Sequence, residues 1–132
     1  MTAIGMPSQW QPPVEPQQWQ QVRESLQSKG LISPTNWIFF GALETATTQA
    51  AEYLSNLQPK GEAVVFDGLL VLKRNPDAEW VLRPLVMRAL CNEGRLERRN
   101  GNGEWSDYSG REDTADKVEW ICGFKQTPQR SS

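Results

Sequence analysis

Apolar residues recur along this chain with two different periods, and the changes of period mark out its elements. Trp19, Val22 and Leu26 stand three and four apart, which predicts a helix from Pro16 to about Lys29 with one narrow apolar stripe. Pro16 suits the first helical position, Glu15 the positive end, and Gly30 the left-handed site just past the C-terminus. Ser33-Pro34 signals a loop, and Trp37 to Phe40 fits either a short buried strand or the lead-in to a helix. From Ala42 to Leu57 the spacing of Leu43, Ala46, Ala50, Tyr53, Leu54 and Leu57 predicts a second amphipathic helix, ended by Pro59 and Gly61.

Beyond Gly61 the pattern reads as strands. Asp67-Gly68 lies between two apolar runs, Glu62–Phe66 and Leu69–Arg74. It predicts a two-residue hairpin turn, because these residues tolerate positive φ. Asn75-Pro76 fits a helix start or a type I turn, and Pro84 decides for the turn: a helix begun at Pro76 would carry Pro84 in its interior, at about 3 kcal/mol. We therefore expect a third strand over Glu79–Arg83 and a short helix from Pro84 that ends before Gly94, with Leu85, Val86, Ala89 and Leu90 on one face. A second hairpin follows, Arg95–Arg99 and Glu104–Tyr108 around Asn100-Gly101-Asn102-Gly103. Ser109–Asp116 reads as a polar loop, and Val118, Trp120, Cys122 and Phe124 alternate as in a last strand.

These elements define an α+β fold: an antiparallel β-sheet of about five to six strands, with hairpins at Asp-Gly and Asn-Gly, packed against one or two amphipathic helices. The expected organisation is a Pro/Gln-rich flexible tail over residues 1–15, one domain over 16–125, and a second tail over 126–132. The chain has 132 residues, enough for one domain that buries roughly two thirds of its unfolded surface. The broad element order is similar to that of small acidic secretion chaperones, in layout and without a shared motif.

Composition narrows the chemistry. The chain contains no histidine, which removes the commonest metal ligand and the usual general base near neutral pH. Two cysteines without histidine do not make a zinc site, and no phosphate loop, dinucleotide fingerprint or nucleophile elbow is present. No catalytic residue, metal or cofactor is expected. Cys91 and Cys122 fall on different elements; their spacing leaves a bridge open, while two buried thiols are the usual outcome in a cytosolic protein. No apolar run reaches the roughly 18–20 residues that span a bilayer, and the N-terminus has no basic-then-apolar signal, so a cytoplasmic setting is expected.

Six tryptophans are many for this length, and core or sheet packing is their ordinary role. A net charge of −2 argues against indiscriminate nucleic-acid binding, although bases gather between Lys73 and Arg99 and acids between Glu104 and Glu119. In the second hairpin Arg95, Arg98 and Arg99 stand near Trp105 and Tyr108, the residue types most frequent at interface hot spots. These five are the candidate partner-binding residues. A protein partner is the leading expectation, with a homodimer through a strand edge or Trp-bearing face as one form of it. Val86-Met-Arg-Ala-Leu-Cys-Asn-Glu-Gly-Arg-Leu-Glu-Arg-Arg99 also resembles the recognition helix and first wing strand of winged-helix DNA-binding domains. That resemblance implies a DNA-binding regulator whose wing is the 94–108 hairpin.

Overall fold

The computed structural model describes residues 10–108 and 113–123. The chain is an α+β meander: α1 (Gln17–Ser28), β1 (Ile38–Glu44), β2 (Gln49–Lys60), β3 (Ala63–Lys73), β4 (Val81–Leu90), β5 (Arg95–Arg99), β6 (Trp105–Asp107) and α2 (Thr114–Cys122). The six strands form one open antiparallel sheet in chain order, with β1 and β6 at its edges. Among the described residues no helix is long and apolar enough to cross a membrane.

The residues gather into two compact units. One comprises residues 12–56 and 67–85; the other, among the described residues, comprises 10–11, 57–66, 86–108 and 113–123. In the first unit α1 buries Trp19 and Leu26, which join Ile32, Phe39, Ala51, Tyr53, Leu69 and Val71 in one apolar cluster, with Trp80 and Leu82 packed beside them. The loop after α1 is pinned by Gln27 Nε2, which donates to the carbonyls of Ser33 and Thr35. Gly30 takes φ +74°, as its place after the helix requires. In the second unit the buried apolar side chains are Val64, Phe66, Met87, Ala89, Leu96, Val118 and Ile121.

Four expected elements are corrected. The predicted helix over 42–57 is a β-hairpin: β1 runs to Glu44 and β2 starts at Gln49, in the register Leu43↔Ala50 and Glu44↔Gln49. The Thr45 hydroxyl accepts from the backbone N–H groups of Thr47 and Thr48, and Thr45 N–H donates to the Thr48 carbonyl. This local bonding competes directly with helix and closes the turn. Asp67-Gly68 is no turn either, but the middle of β3. The reversal between β2 and β3 falls at Gly61-Glu62, where Gly61 has φ +62°. Asp67 instead accepts a hydrogen bond from Asn56 Nδ2 at 2.7 Å. Burial in β3 changes phase there, from Val64 and Phe66 to Leu69 and Val71, so the strand looks continuously apolar in sequence.

Pro84 does not open a helix. It lies inside β4, which runs unbroken through the expected third strand and the expected helix. β5 pairs with β4 only from Met87 to Leu90, so Pro84 sits where no β5 residue needs an N–H donor. The recognition helix implied by the winged-helix resemblance is therefore a strand, and the layout analogy with secretion chaperones falls with the helices it counted. The last expected strand is α2: Thr114, Lys117, Val118 and Ile121 are buried at spacings of three and four. Lys117 pairs with Asp113 one turn back at 3.4 Å. Cys91 and Cys122 form a disulfide, with Cα atoms 5.8 Å apart, the bridge their spacing left open. Helix α1, the β5–β6 hairpin around Asn100–Gly103 and the turn at Asn75–Ala78 lie where the sequence placed them. Of the expected first tail, Trp10 and Glu15 make specific contacts; residues 1–9, 109–112 and 124–132 lie outside the described set.

Candidate interaction surface

The candidate residues stand on the ribbon β4–β5–β6. Asn100 builds its hairpin turn: its side-chain oxygen accepts from the N–H groups of Asn102 and Glu104, and Gly103 takes φ +85°. With the turn fixed, the register follows as Arg88↔Glu97↔Asp107, Met87↔Arg98↔Ser106 and Arg99↔Trp105. Residues opposite one another share a side of a sheet, and neighbours along a strand alternate. Arg88, Arg95, Glu97, Arg99, Trp105 and Asp107 thus share one side of the ribbon. Arg98 and Tyr108 belong to the other, with Met87, Ala89 and Leu96.

The sequence-derived group is therefore split. Arg95, Arg99 and Trp105 are brought together, while Arg98 and Tyr108 are not among them. Arg88, which sequence reasoning placed on the outer side of a helix, joins instead: its guanidinium lies 4.4 Å from the centre of the Trp105 ring. Arg99 stands 5.9 Å from the same ring. Had β4 been recognised as a strand, counting back from Leu90↔Arg95 would have put Arg88 opposite Glu97.

Glu97 organises the surface. Its side chain is only 12% exposed, and one carboxylate oxygen accepts from Arg88 Nε at 2.7 Å. The other accepts from Arg95 at 3.1 Å. A buried carboxylate needs such charged donors, since an unpaired one would carry a desolvation cost of several kcal/mol. Arg95 also lies 3.2 Å from Glu93, so its charge is matched on two sides. Arg98 and Arg99 have no carboxylate partner among the described residues. The result is a half-buried indole with one guanidinium fixed over it and another free beside it, a surface that can take up anionic or aromatic groups.

The other unit holds a carboxylate lock and an aromatic column. Glu15 accepts from both ends of the Arg23 guanidinium at 2.9 Å and from the Tyr53 hydroxyl at 2.7 Å. Burial by itself would raise the Glu15 carboxyl, but the hydrogen bonds from Arg23 and Tyr53 outweigh it and hold it below its ordinary value. Burial, and then the bond to that carboxylate, push the Tyr53 phenol well above its ordinary value. The Trp19 and Trp80 rings meet at a tilt with centres 5.5 Å apart, Lys73 lies over Trp80 at 4.4 Å, and Trp19 is buried in the core. Among the described residues no group of three acidic, cysteine or histidine side chains is placed to hold a metal ion. Comparison with protein-family models, curated proteins and solved structures finds no match to this chain.

Proposed function

We propose that this protein is a non-enzymatic interaction module, adaptor- or assembly-like, that docks a protein partner on Trp105 and the arginines beside it. One observation carries the reading: Arg88 and Arg99 both approach the Trp105 ring on one side of a hydrogen-bonded ribbon. Arginine and tryptophan supply area, rigidity and donors together, and side chains held before binding lose less entropy on docking. Glu97 supplies that preorganisation by fixing Arg88.

A photo-crosslinking residue at Asp107, exposed on the same side of the ribbon as Trp105, in the full chain exposed to lysate of the source cell, tests it. A discrete protein adduct, competed by unlabelled protein and reduced at least tenfold by Trp105→Ala with Arg99→Ala, is expected. An adduct that survives both substitutions would refute the reading.

DNA binding is the rival, favoured by Arg98 and Arg99 alone, whose charges no carboxylate among the described residues matches. A salt titration against duplex DNA separates the two. Tight, salt-steep association abolished by Arg98→Ala with Arg99→Ala would replace the protein reading. Self-association is one form of the protein reading, and sedimentation with and without Trp105→Ala measures it. A reducing cytoplasm, the expected setting, opposes the Cys91–Cys122 bridge, so we assign the bridged form to an oxidising environment.

A further inference from the structure

We propose that Asn100-Gly101 is a site of self-modification, at which the folded hairpin turn deamidates Asn100 with water as the only co-reactant. This goes beyond the interaction reading and does not depend on it.

The reaction needs an electrophilic amide carbon, a backbone nitrogen free to attack it, and room for the ring that forms. Asn100 has all three. Its side-chain oxygen accepts from the backbone N–H groups of Asn102 at 2.9 Å and Glu104 at 3.1 Å. Two such donors polarise the carbonyl and stabilise the negative charge that develops on its oxygen, as an oxyanion hole does. A bond to the N–H two residues on also folds the side chain forward over Gly101. The Gly101 N–H has no hydrogen-bond partner among the described residues, and Gly101 is exposed, so a base from solvent can take its proton. Apart from its chain neighbours, no atom lies within 4 Å of the place a Gly101 Cβ would take, so ring closure is unobstructed there.

The same turn carries a control. Asn102-Gly103 repeats the dipeptide, yet the Gly103 N–H donates to the Asn100 carbonyl at 3.0 Å, and no donor holds the Asn102 side chain among the described residues. Asn36, Asn56, Asn75 and Asn92 precede Trp, Leu, Pro and Glu, whose side chains crowd the nitrogen or, in proline, replace its proton. The turn, and not the dipeptide, singles out Asn100.

The deprotonated Gly101 nitrogen attacks Asn100 Cγ and forms a C–N bond. The bond from Cγ to Nδ2 then breaks, and Nδ2 leaves as ammonia after taking a proton from solvent. Water opens the resulting succinimide at either carbonyl: at Cγ it gives an aspartyl product, at the main-chain carbon an isoaspartyl one. One water enters, one ammonia leaves, and nothing is oxidised or reduced. Either product sets a carboxylate next to Arg99, whose charge no carboxylate matches among the described residues. The isoaspartyl product also adds a methylene to the main chain between Arg99 and Trp105, the pair beside the turn.

Incubating the full chain in heavy-oxygen water at mildly alkaline pH tests this, because each conversion leaves one heavy oxygen in the product. Peptide fragmentation then assigns it to Asn100 or Asn102. In the folded protein Asn100 should convert at least tenfold faster than Asn102, and in urea the two rates should converge. Gly101→Ala should slow conversion of Asn100 at least tenfold. Three results would overturn the proposal: Asn102 converting as fast as Asn100 in the folded chain, a preference for Asn100 that survives urea, or no conversion of Asn100 in the folded chain over a time that converts it fully in urea.

Discussion

Glu15 shows how a single side chain can fix a segment that composition marks as loose. Its neighbours Pro12, Pro13 and Pro16 disfavour regular structure, yet the carboxylate takes three charged or phenolic donors from α1 and β2. Hydrogen bonds to a charged partner contribute about 1.5–3 kcal/mol, so Glu15→Gln should lower stability by about 2 kcal/mol near pH 7, measured by denaturant unfolding. A carboxyl whose value is depressed on folding contributes stability above its unfolded value of 4.5, and loses that stability as pH falls through the folded value. The difference between wild type and Glu15→Gln should therefore shrink below pH 4.5. At the alkaline end the sign reverses. Tyr53 is raised on folding, so its contribution is complete below its unfolded value of 10.0 and declines as pH climbs past it. Tyr53→Phe should remove that alkaline decline at a cost near pH 7 of about 1 kcal/mol.

At the scale of elements, Pro84 is the instructive residue. Its ring and missing N–H do break helices, and Asn75–Ala78 is a turn, not the start of a helix running through Pro84. Proline is also admitted to a strand where a neighbour does not need its N–H, and β4 extends past the pairing limit of β5. Pro84→Ala should therefore leave stability unchanged or lower it by up to about 1 kcal/mol, through a more flexible unfolded chain. A helix-interior proline would give the opposite result, a gain of about 3 kcal/mol. Gly61→Ala should cost about 1 kcal/mol in the same unfolding assay, because alanine is strained at φ +62°. The β2–β3 turn was hidden for a related reason. Gly61 was legible as a chain breaker, but Asp67-Gly68 gave the stronger local hairpin signal, whereas in the sheet it lies inside β3, with Asp67 hydrogen-bonded to Asn56. Helix α2 was missed because its buried stripe includes the polar Thr114 and Lys117, which leaves the weaker period-two pattern of its apolar residues in view.

At the scale of the molecule, binding and stability should separate. Trp105 and Arg99 lie outside the buried core, so replacing both with alanine should shift unfolding by less than about 1 kcal/mol while abolishing partner capture. Removing the bridge should do the reverse. A loop spanning 31 positions gives a chain-entropy contribution of about 4 kcal/mol, an upper value for the destabilisation of the Cys91→Ala, Cys122→Ala variant. Only part of the interaction surface was legible beforehand. Arg95, Arg99 and Trp105 could be grouped because an Asn-Gly hairpin sets its own register, whereas Arg88 required knowledge of β4. The sequence alone determined what short-range chemistry dictates: α1 with its flanking Pro16 and Gly30, the Asn100–Gly103 turn, the absence of histidine, and the α+β class. Tertiary structure decided the rest. Whether 42–57 coils or extends, whether Asp67-Gly68 turns, and which cysteines meet all depend on partners distant in the chain, and long-range pairing outweighs local preferences of a kcal/mol or less per residue.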